Sequence, residues 1–241
     1  MKNKIVYFSI IIVLLLGGLL IVRINMVKNV RNLCNYIKDN NTKEALKLAS
    51  KIKNFNKTSS AFPKLVEMLE GEVTTPLIEA SRKGNKKMIK YLLEHGADMN
   101  YAPNGMEYPL EAFTNTGLSG GVDTLKLMLK YTDKPDAYKY ISPLFRVALT
   151  LEHVSSDNYE KNVEMILLFI DAGANWQNSI DGDTILHYAA RQDNSILLKE
   201  LLNRDESKKW LNVKNDNGET PLSVAIDKNY VENANLLKNA S

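Results

Sequence analysis

Hydrophobic residues follow two patterns along this chain, one continuous and one periodic. Residues 5–22 (IVYFSIIIVLLLGGLLIV) contain no charged side chain, and as a helix they would be about 27 Å long. Further along, apolar residues recur at helical spacing in short stretches, for example Met88, Ile89, Leu92 and Leu93. The pattern predicts one long hydrophobic segment followed by many short amphipathic helices.

The continuous run predicts a retained transmembrane helix, with residues 1–26 forming a signal anchor. A cleaved signal peptide needs small residues at its cleavage site, whereas this run ends in Leu, Ile, Val and Arg. Positive residues flank both ends in similar number, so they do not decide the orientation. Because a very short N-terminal tail usually stays in the cytoplasm, we expect a single-pass inner-membrane protein whose remaining residues are periplasmic. The alternative is secretion to the periplasm after signal cleavage.

The rest of the chain repeats one opening motif at successive intervals of 33, 34, 42 and 36 residues. The motif recurs as Thr75-Pro76-Leu77, Tyr108-Pro109-Leu110, Ser142-Pro143-Leu144, Thr184-Ile185-Leu186 and Thr220-Pro221-Leu222. A Thr hydroxyl can cap a helix, and Pro suits the first helical position. Gly84 then allows a turn between two helices, and Gly96 allows the second helix to end.

These features resemble the ankyrin repeat, with its T-P-L-H-x-A-A opening and its closing L-L-x-x-G-A-D-x-N. The first unit reads TPLIEASRKGNKKMIKYLLEHGADMN. The resemblance covers residues 27–241, with a degenerate N-terminal cap at 27–74 and repeats that start near 75, 108, 142, 184 and 220. It implies an all-α ankyrin-repeat solenoid of stacked helix-turn-helix units with finger loops, preceded by one N-terminal transmembrane helix.

Three segments depart from the regular repeat. The third repeat has about ten extra residues around 151–159, which we expect to form a loop between that repeat's helices. The second repeat has extra residues around 117–121 and lacks the closing Gly-Ala. Before Thr75, the apolar spacing between residues 30 and 52 predicts a first helix pair, and residues 62–69 predict a further short helix.

Composition and charge narrow the possible functions. The chain is 44% hydrophobic and 24% charged, as in an ordinary folded protein, and its net charge of +3 includes no basic stripe that would indicate nucleic-acid binding. The single cysteine, Cys34, cannot form an internal disulfide, and it lies among apolar residues as a packed side chain would. No group of residues has metal-ligand spacing, and no phosphate-binding loop is present. We therefore expect no cofactor, metal or small-molecule substrate.

One catalytic pattern occurs, at residues 117–121 (GLSGG), which fits the G-x-S-x-G motif of serine hydrolases. Ser119 would be the nucleophile, with Asp123 and either His153 or His187 as its partners. That chemistry needs a strand before the serine, whereas this motif falls at the turn between two predicted helices. We therefore favour a glycine-rich loop and expect no enzyme, with the serine hydrolase kept as a weak alternative.

The three histidines have structural or solvated interpretations. The resemblance places His187 where ankyrin repeats carry a histidine bonded near the capping Thr, and His95 in the usual repeat ending. His153 lies in the extra segment of the third repeat, where we expect a solvated loop residue.

The resemblance also implies protein binding through the finger loops and the inner face of the first helices. The candidate residues are Asn100, Tyr101, Asn104, Met106 and Glu107 in the first finger; Asp136, Tyr138, Lys139 and Tyr140 in the second; Gln177, Asn178 and Asp181 in the third; and Lys214, Asn215 and Asp216 in the fourth. The three tyrosines are the strongest candidates because aromatic side chains dominate binding hot spots, although each could instead pack on its own finger. We expect Trp176 and Trp210 to pack between units.

We therefore expect a membrane-anchored bacterial protein that binds another protein. Its size, anchor and repeats are similar in architecture to some immunity proteins. This similarity suggests that it neutralises a toxic effector, for example a phospholipase, on the periplasmic side. The alternative is a periplasmic scaffold that supports a stress-defence enzyme.

Overall fold

The computed structural model describes residues 25–59, 74–103, 107–115, 121–139, 141–151, 156–177 and 181–240. Within these ranges the regular structure is helical, apart from one isolated antiparallel bridge between Gln177 and Thr184. The chain divides into two compact units, Met1–Gly120 and Gly121–Ser241. The predicted transmembrane segment at residues 5–22 lies outside the described ranges, and no helix inside them is long and apolar enough to cross a membrane.

The first unit is a stack of short helices in two layers. Its helices are α1 (25–38), α2 (Thr42–Ala49), α3 (Pro76–Arg82), α4 (Lys86–Glu94) and α5 (Pro109–Asn115). One layer contains α3 against α5, the other contains α2 against α4, and α3 also packs on α4. The predicted first helix pair is confirmed as α1 and α2, whereas the helix predicted at 62–69 lies outside the described residues. The predicted domain boundary after residue 26 falls inside α1.

The second unit repeats the same two-layer arrangement. Its helices are α6 (Gly121–Leu129), α7 (Pro143–Thr150), α8 (Ser156–Asp171), α9 (Ile185–Ala190), α10 (Ile196–Leu202), α11 (Pro221–Asp227) and α12 (Val231–Ala240), with a 3-10 turn at Asp205–Lys209 after α10. The helices α7, α9 and α11 pack side by side, and so do α6, α8, α10 and α12. Each helix pair thus buries its apolar face against the next pair.

Helix starts and turns follow the predicted chemistry. Thr75 Oγ1 accepts a hydrogen bond from the Ile78 backbone N–H at 3.3 Å, and Pro occupies the first turn of α3. The turn between α3 and α4 contains Gly84 at φ +57°. At the equivalent place in the last repeat, Asn229 adopts φ +59°, a conformation that Asn tolerates better than most residues with a side chain.

The extra segment of the third repeat is partly helical, so the expectation of a loop through residue 159 was wrong. Helix α8 begins at Ser156 and has 16 residues, compared with nine in α4. Tyr159, Val163 and Ile166 are buried along one face of it. Residues 156–159 of the extra segment therefore belong to α8, and Tyr159 continues its buried face. Residues 152–155, including His153, lie outside the described ranges.

We predict that Thr220→Ala lowers the free energy of unfolding by about 1 kcal/mol. Thr220 Oγ1 accepts a hydrogen bond from the Ser223 backbone N–H at 3.2 Å at the start of α11, and alanine leaves that N–H without its cap. Urea unfolding of the full chain measures the change. Thr220→Ser keeps the hydroxyl and should retain most of the stability. Equal losses in the two variants would show that the cap contributes little.

Candidate protein-binding surface

The first finger is tied to the loop before it. The Asp98 backbone N–H donates to Asn56 Oδ1 at 2.9 Å, and Asp98 Oδ1 accepts from the Asn100 backbone N–H at 2.8 Å. The predicted residues Asn100 and Tyr101 are both half-buried, while Asn104 and Met106 lie outside the described residues. The described part of this finger is therefore a braced loop, with Tyr101 partly packed against it.

Glu107, at the end of the first finger, takes part in an ion-pair network. Its carboxylate accepts from Arg82 Nε at 2.6 Å and from Asn115 Nδ2 at 2.7 Å. Arg82 also pairs with the buried carboxylate of Glu79 at 2.7 Å. Glu107 thus joins the finger to the first helices α3 and α5, and both of its oxygens are already in use.

Asp136 connects the second finger to the third. One carboxylate oxygen accepts from Ser142 Oγ at 3.1 Å, and the other accepts from the Asn175 backbone N–H. Burial raises the pKa of this carboxyl, and the two hydrogen bonds oppose that rise. Of the other predicted residues in this finger, Tyr138 is half-buried, Lys139 is exposed, and Tyr140 lies outside the described ranges.

The third and fourth fingers are joined by direct hydrogen bonds. The Asp216 backbone N–H donates to the Asp181 carbonyl at 3.0 Å, and Asn215 Nδ2 donates to Asp183 Oδ1 at 2.8 Å. At Gly182, φ is +71°, and a Cβ there would lie 2.7 Å from Asp216 Oδ1. Glycine is therefore required for the two loops to approach this closely.

The predicted residues of these two fingers have different environments. Asn215 is only 6% exposed, and its side chain also donates to Glu219 and accepts two backbone N–H groups, so it holds the loop together. Asp181, Lys214 and Asp216 are exposed at the loop tips. Gln177 is half-buried and donates to the Gly182 carbonyl, and Asn178 lies outside the described residues.

His187 has the structural role that the sequence predicts. Its Nδ1 accepts from the Thr184 backbone N–H at 3.0 Å, so Nε2 carries the hydrogen and donates to the Glu219 carbonyl at 2.9 Å. Burial lowers the pKa of this imidazole. His95 stacks on Tyr91, with ring centroids 4.0 Å apart. Both histidines have local structural partners.

Three further predictions concern buried side chains. Trp176 is 2% exposed, as expected for a side chain that packs between repeats. Trp210 is half-buried, and its indole Nε1 is a buried donor without a partner among the described residues. The Cys34 thiol is buried, and burial raises its pKa, as expected for a packed side chain.

A cleft that the sequence did not predict lies in the second unit, at the edge formed by the turns between its helices. Its volume is about 390 Å³, and its lining includes Tyr159, Arg191, Asn194, Lys228 and Tyr230. Tyr159 Oη donates to the Asn194 carbonyl at 3.3 Å, and burial raises the pKa of Tyr159 to about 12. The cleft combines residues from three repeats. In the sequence, the extra length of the third repeat was the feature that pointed to this edge.

The alternative catalytic site cannot be built from the described residues. Ser119 lies outside them, and the element before it is the helix α5 rather than a strand. In the described part of the chain, no group of three or more His, Cys, Asp or Glu side chains could hold a metal ion.

Two protein-family models match the chain. A model of the ankyrin repeat matches residues 74–104, and a model of ankyrin repeats in three copies matches residues 151–241. The two matches together cover just over half of the chain, including residues 100–104 of the first finger and the third and fourth fingers.

We predict that Asn215→Ala lowers the free energy of unfolding by about 2 kcal/mol, because buried partners including Asp183 lose a hydrogen bond. Asn217, in the same finger, provides a matched control because its side chain is exposed. Asn217→Ala should change stability by less than about 0.5 kcal/mol in the same urea titration. Similar effects of the two changes would contradict the proposed bracing role of Asn215.

His187 should make the protein less stable in mild acid. Its folded-state pKa lies below the ordinary value of 6.5, so the unfolded chain binds the proton more tightly. The stabilisation is complete above that value and decreases as the pH falls through it towards the folded pKa. Urea unfolding at about pH 7.5 and about pH 5.5 should show this decrease in the unaltered chain. The decrease should shrink in His187→Gln and persist in His95→Gln.

Proposed function

The chain belongs to the ankyrin-repeat family and is a protein–protein interaction module, and we propose that it is an immunity protein that binds and neutralises a toxic effector. The proposed binding surface is the set of finger-loop tips. The proposed location is the periplasmic side of a membrane, with residues 5–22 as the tether.

The observation that carries the binding surface is that the fingers are braced from within. Asp136 joins the second finger to the third, and the Asp181 carbonyl and Asp216 N–H join the third to the fourth. Binding by a loop that is already ordered loses little conformational entropy, so more of the contact energy contributes to affinity. The bracing therefore favours the loop tips as a preformed surface for a protein partner.

The exposed tips of the third and fourth fingers have a definite charge. Asp181 and Asp216 present carboxylates to solvent, with Lys214 beside them. We call Asp181 and Asp216 the acidic tip. Exposed carboxylates on a braced loop would attract a basic patch on a partner and would fix its orientation. In the first two fingers, the half-buried Tyr101 and Tyr138 would supply apolar contact area.

The neutralising role follows from the binding class and the proposed tether. A protein held at the membrane through residues 5–22 would meet an effector that attacks lipids, such as a phospholipase, near its target. Binding in a one-to-one complex would be sufficient to block such an enzyme, and no catalytic group would be needed on this chain.

We expect cells that lack this chain to lose resistance to kin cells or to a toxin encoded beside it, and the full chain to restore that resistance. The double change Asp181→Lys and Asp216→Lys should lower capture of the toxin by at least about tenfold, because opposed charges at the contact are replaced by like charges. Affinity capture with the full chain, followed by mass spectrometry, measures this.

The matched control places the same charge changes elsewhere in the second unit. Glu200→Lys on α10 and Asp227→Lys at the end of α11 alter exposed residues away from the tips and should leave capture unchanged. Tyr101→Ala tests the first finger, with Tyr36→Ala on α1 as its control. Unaltered resistance in the deletion strain would contradict the proposed immunity role. A captured enzyme that stays fully active when bound would contradict neutralisation and fit a scaffold.

A further inference from the structure

Positive charge is concentrated at the beginning of the first unit. Residues 25–59 contain seven lysines and one arginine, compared with only two acidic residues, Asp39 and Glu44. The net charge of the whole chain is only +3, so acidic residues elsewhere balance this segment. Two of the lysines have acidic partners: Lys47 lies 3.6 Å from Glu44, and Lys38 lies 3.9 Å from Glu79.

Five of the remaining cations lie at one edge of the unit. The loop that follows α2 lies against α1. Arg31 Nε donates to the Ser59 carbonyl at 3.0 Å and joins these two segments directly. We define the basic edge by its five residues, which are Lys28, Arg31, Lys51, Lys53 and Lys57. All five are exposed, and none of them forms a salt bridge within the described residues.

The basic edge includes the part of α1 that follows the hydrophobic run in the sequence. That run ends at residue 22, and the described helix begins at residue 25. Lys28 and Arg31 follow the run by six and nine residues, and along a continuous helix Lys28 would lie roughly 9 Å from it. This distance is comparable to the screening length of physiological salt, so these charges would feel the surface potential of a bilayer reached by the run.

We propose that the basic edge binds the anionic headgroups of phospholipids and holds the first unit against the bilayer. The proposal rests on the tether for this proximity. Each lysine ammonium would contact phosphate oxygens and release counterions, so binding would be electrostatic and would decrease as salt is added.

Two features of the basic edge favour lipid over other polyanions. Binding of single-stranded nucleic acid relies on exposed aromatic side chains that stack on bases, and Phe55, the one aromatic residue between Lys51 and Ser59, is 2% exposed. A protein partner is usually bound through a buried aromatic or apolar anchor, whereas this edge presents separated, exposed cations on α1 and on the loop after α2. Separated flexible cations suit a fluid surface of mobile phosphates.

The test uses the full chain in vesicles of phosphatidylcholine, with or without about 30% phosphatidylglycerol. A fluorophore on Ser50→Cys, beside Lys51, reports contact through quenching by headgroup spin-labelled lipid. The native Cys34 should remain unlabelled because its thiol is buried. We expect about twofold greater quenching in the anionic vesicles, and we expect the excess to disappear in about 0.5 M salt.

Two triple variants locate the effect. Lys51→Gln, Lys53→Gln and Lys57→Gln together should abolish the excess quenching. The control removes the same charge at the other edge of the same unit through Lys43→Gln, Lys83→Gln and Lys87→Gln. That edge is formed by the turns before α2 and α4, which are joined by a 2.9 Å hydrogen bond from Asn85 to Thr42. The control should keep the excess quenching.

Failure of this proposal is distinguishable from failure of the tether. Extraction of the chain from the vesicles by alkaline carbonate would refute the tether, while quenching before extraction still reports the basic edge. Equal quenching in neutral and anionic vesicles would overturn lipid binding, and so would equal losses in the two triple variants. Binding of a single-stranded oligonucleotide without a lipid effect would assign the edge to nucleic acid and would also overturn the proposal.

Discussion

The apolar face of each short helix pair is buried only by the neighbouring pair. Helices of six to nine residues, such as α9 and α4, are too short to be stable alone in water. Leu92 on α4, and Leu186 and Leu198 on α9 and α10, are fully buried. The stability of each unit is therefore shared between its repeats, and the other features of the structure depend on this stacking.

The stacked helices supply the hydrophobic core, so the loops between them can be polar. In the third and fourth fingers, the buried Asp183 and Asn215 form a hydrogen-bond network with the half-buried Glu219. Buried polar groups of this kind cost free energy unless each one is paired. The pairing fixes the loop backbones, while other side chains of the same loops point to solvent. One segment thus serves both to join repeats and to present a surface.

Charge is distributed unevenly in a way that matches this division of roles. Residues 25–59, which follow the hydrophobic run in the sequence, carry a net positive charge. The braced fingers of the second unit present carboxylates. The proposed lipid-binding edge and the proposed acidic tip thus use different side chains.

Local sequence determined the family, the helix starts, the turns and several packed residues. Capping threonines and turn residues such as Gly84 act on neighbours within a few positions, so their roles can be recognised from spacing alone. His187 bonds locally to Thr184, but its second bond, to the Glu219 carbonyl 32 residues away, depends on the stacking of the repeats. The membrane tether and the immunity role stay predictions.

The tertiary structure decided which polar side chains remain available. Asn215 and Asn217 look equivalent in sequence, yet one bonds to Asp183, 32 residues earlier, and the other is exposed. Glu107 and Asp136 similarly bond to partners 25 and 39 residues away. Such bonds form only after the repeats have stacked, because stacking alone brings these distant groups within hydrogen-bonding distance.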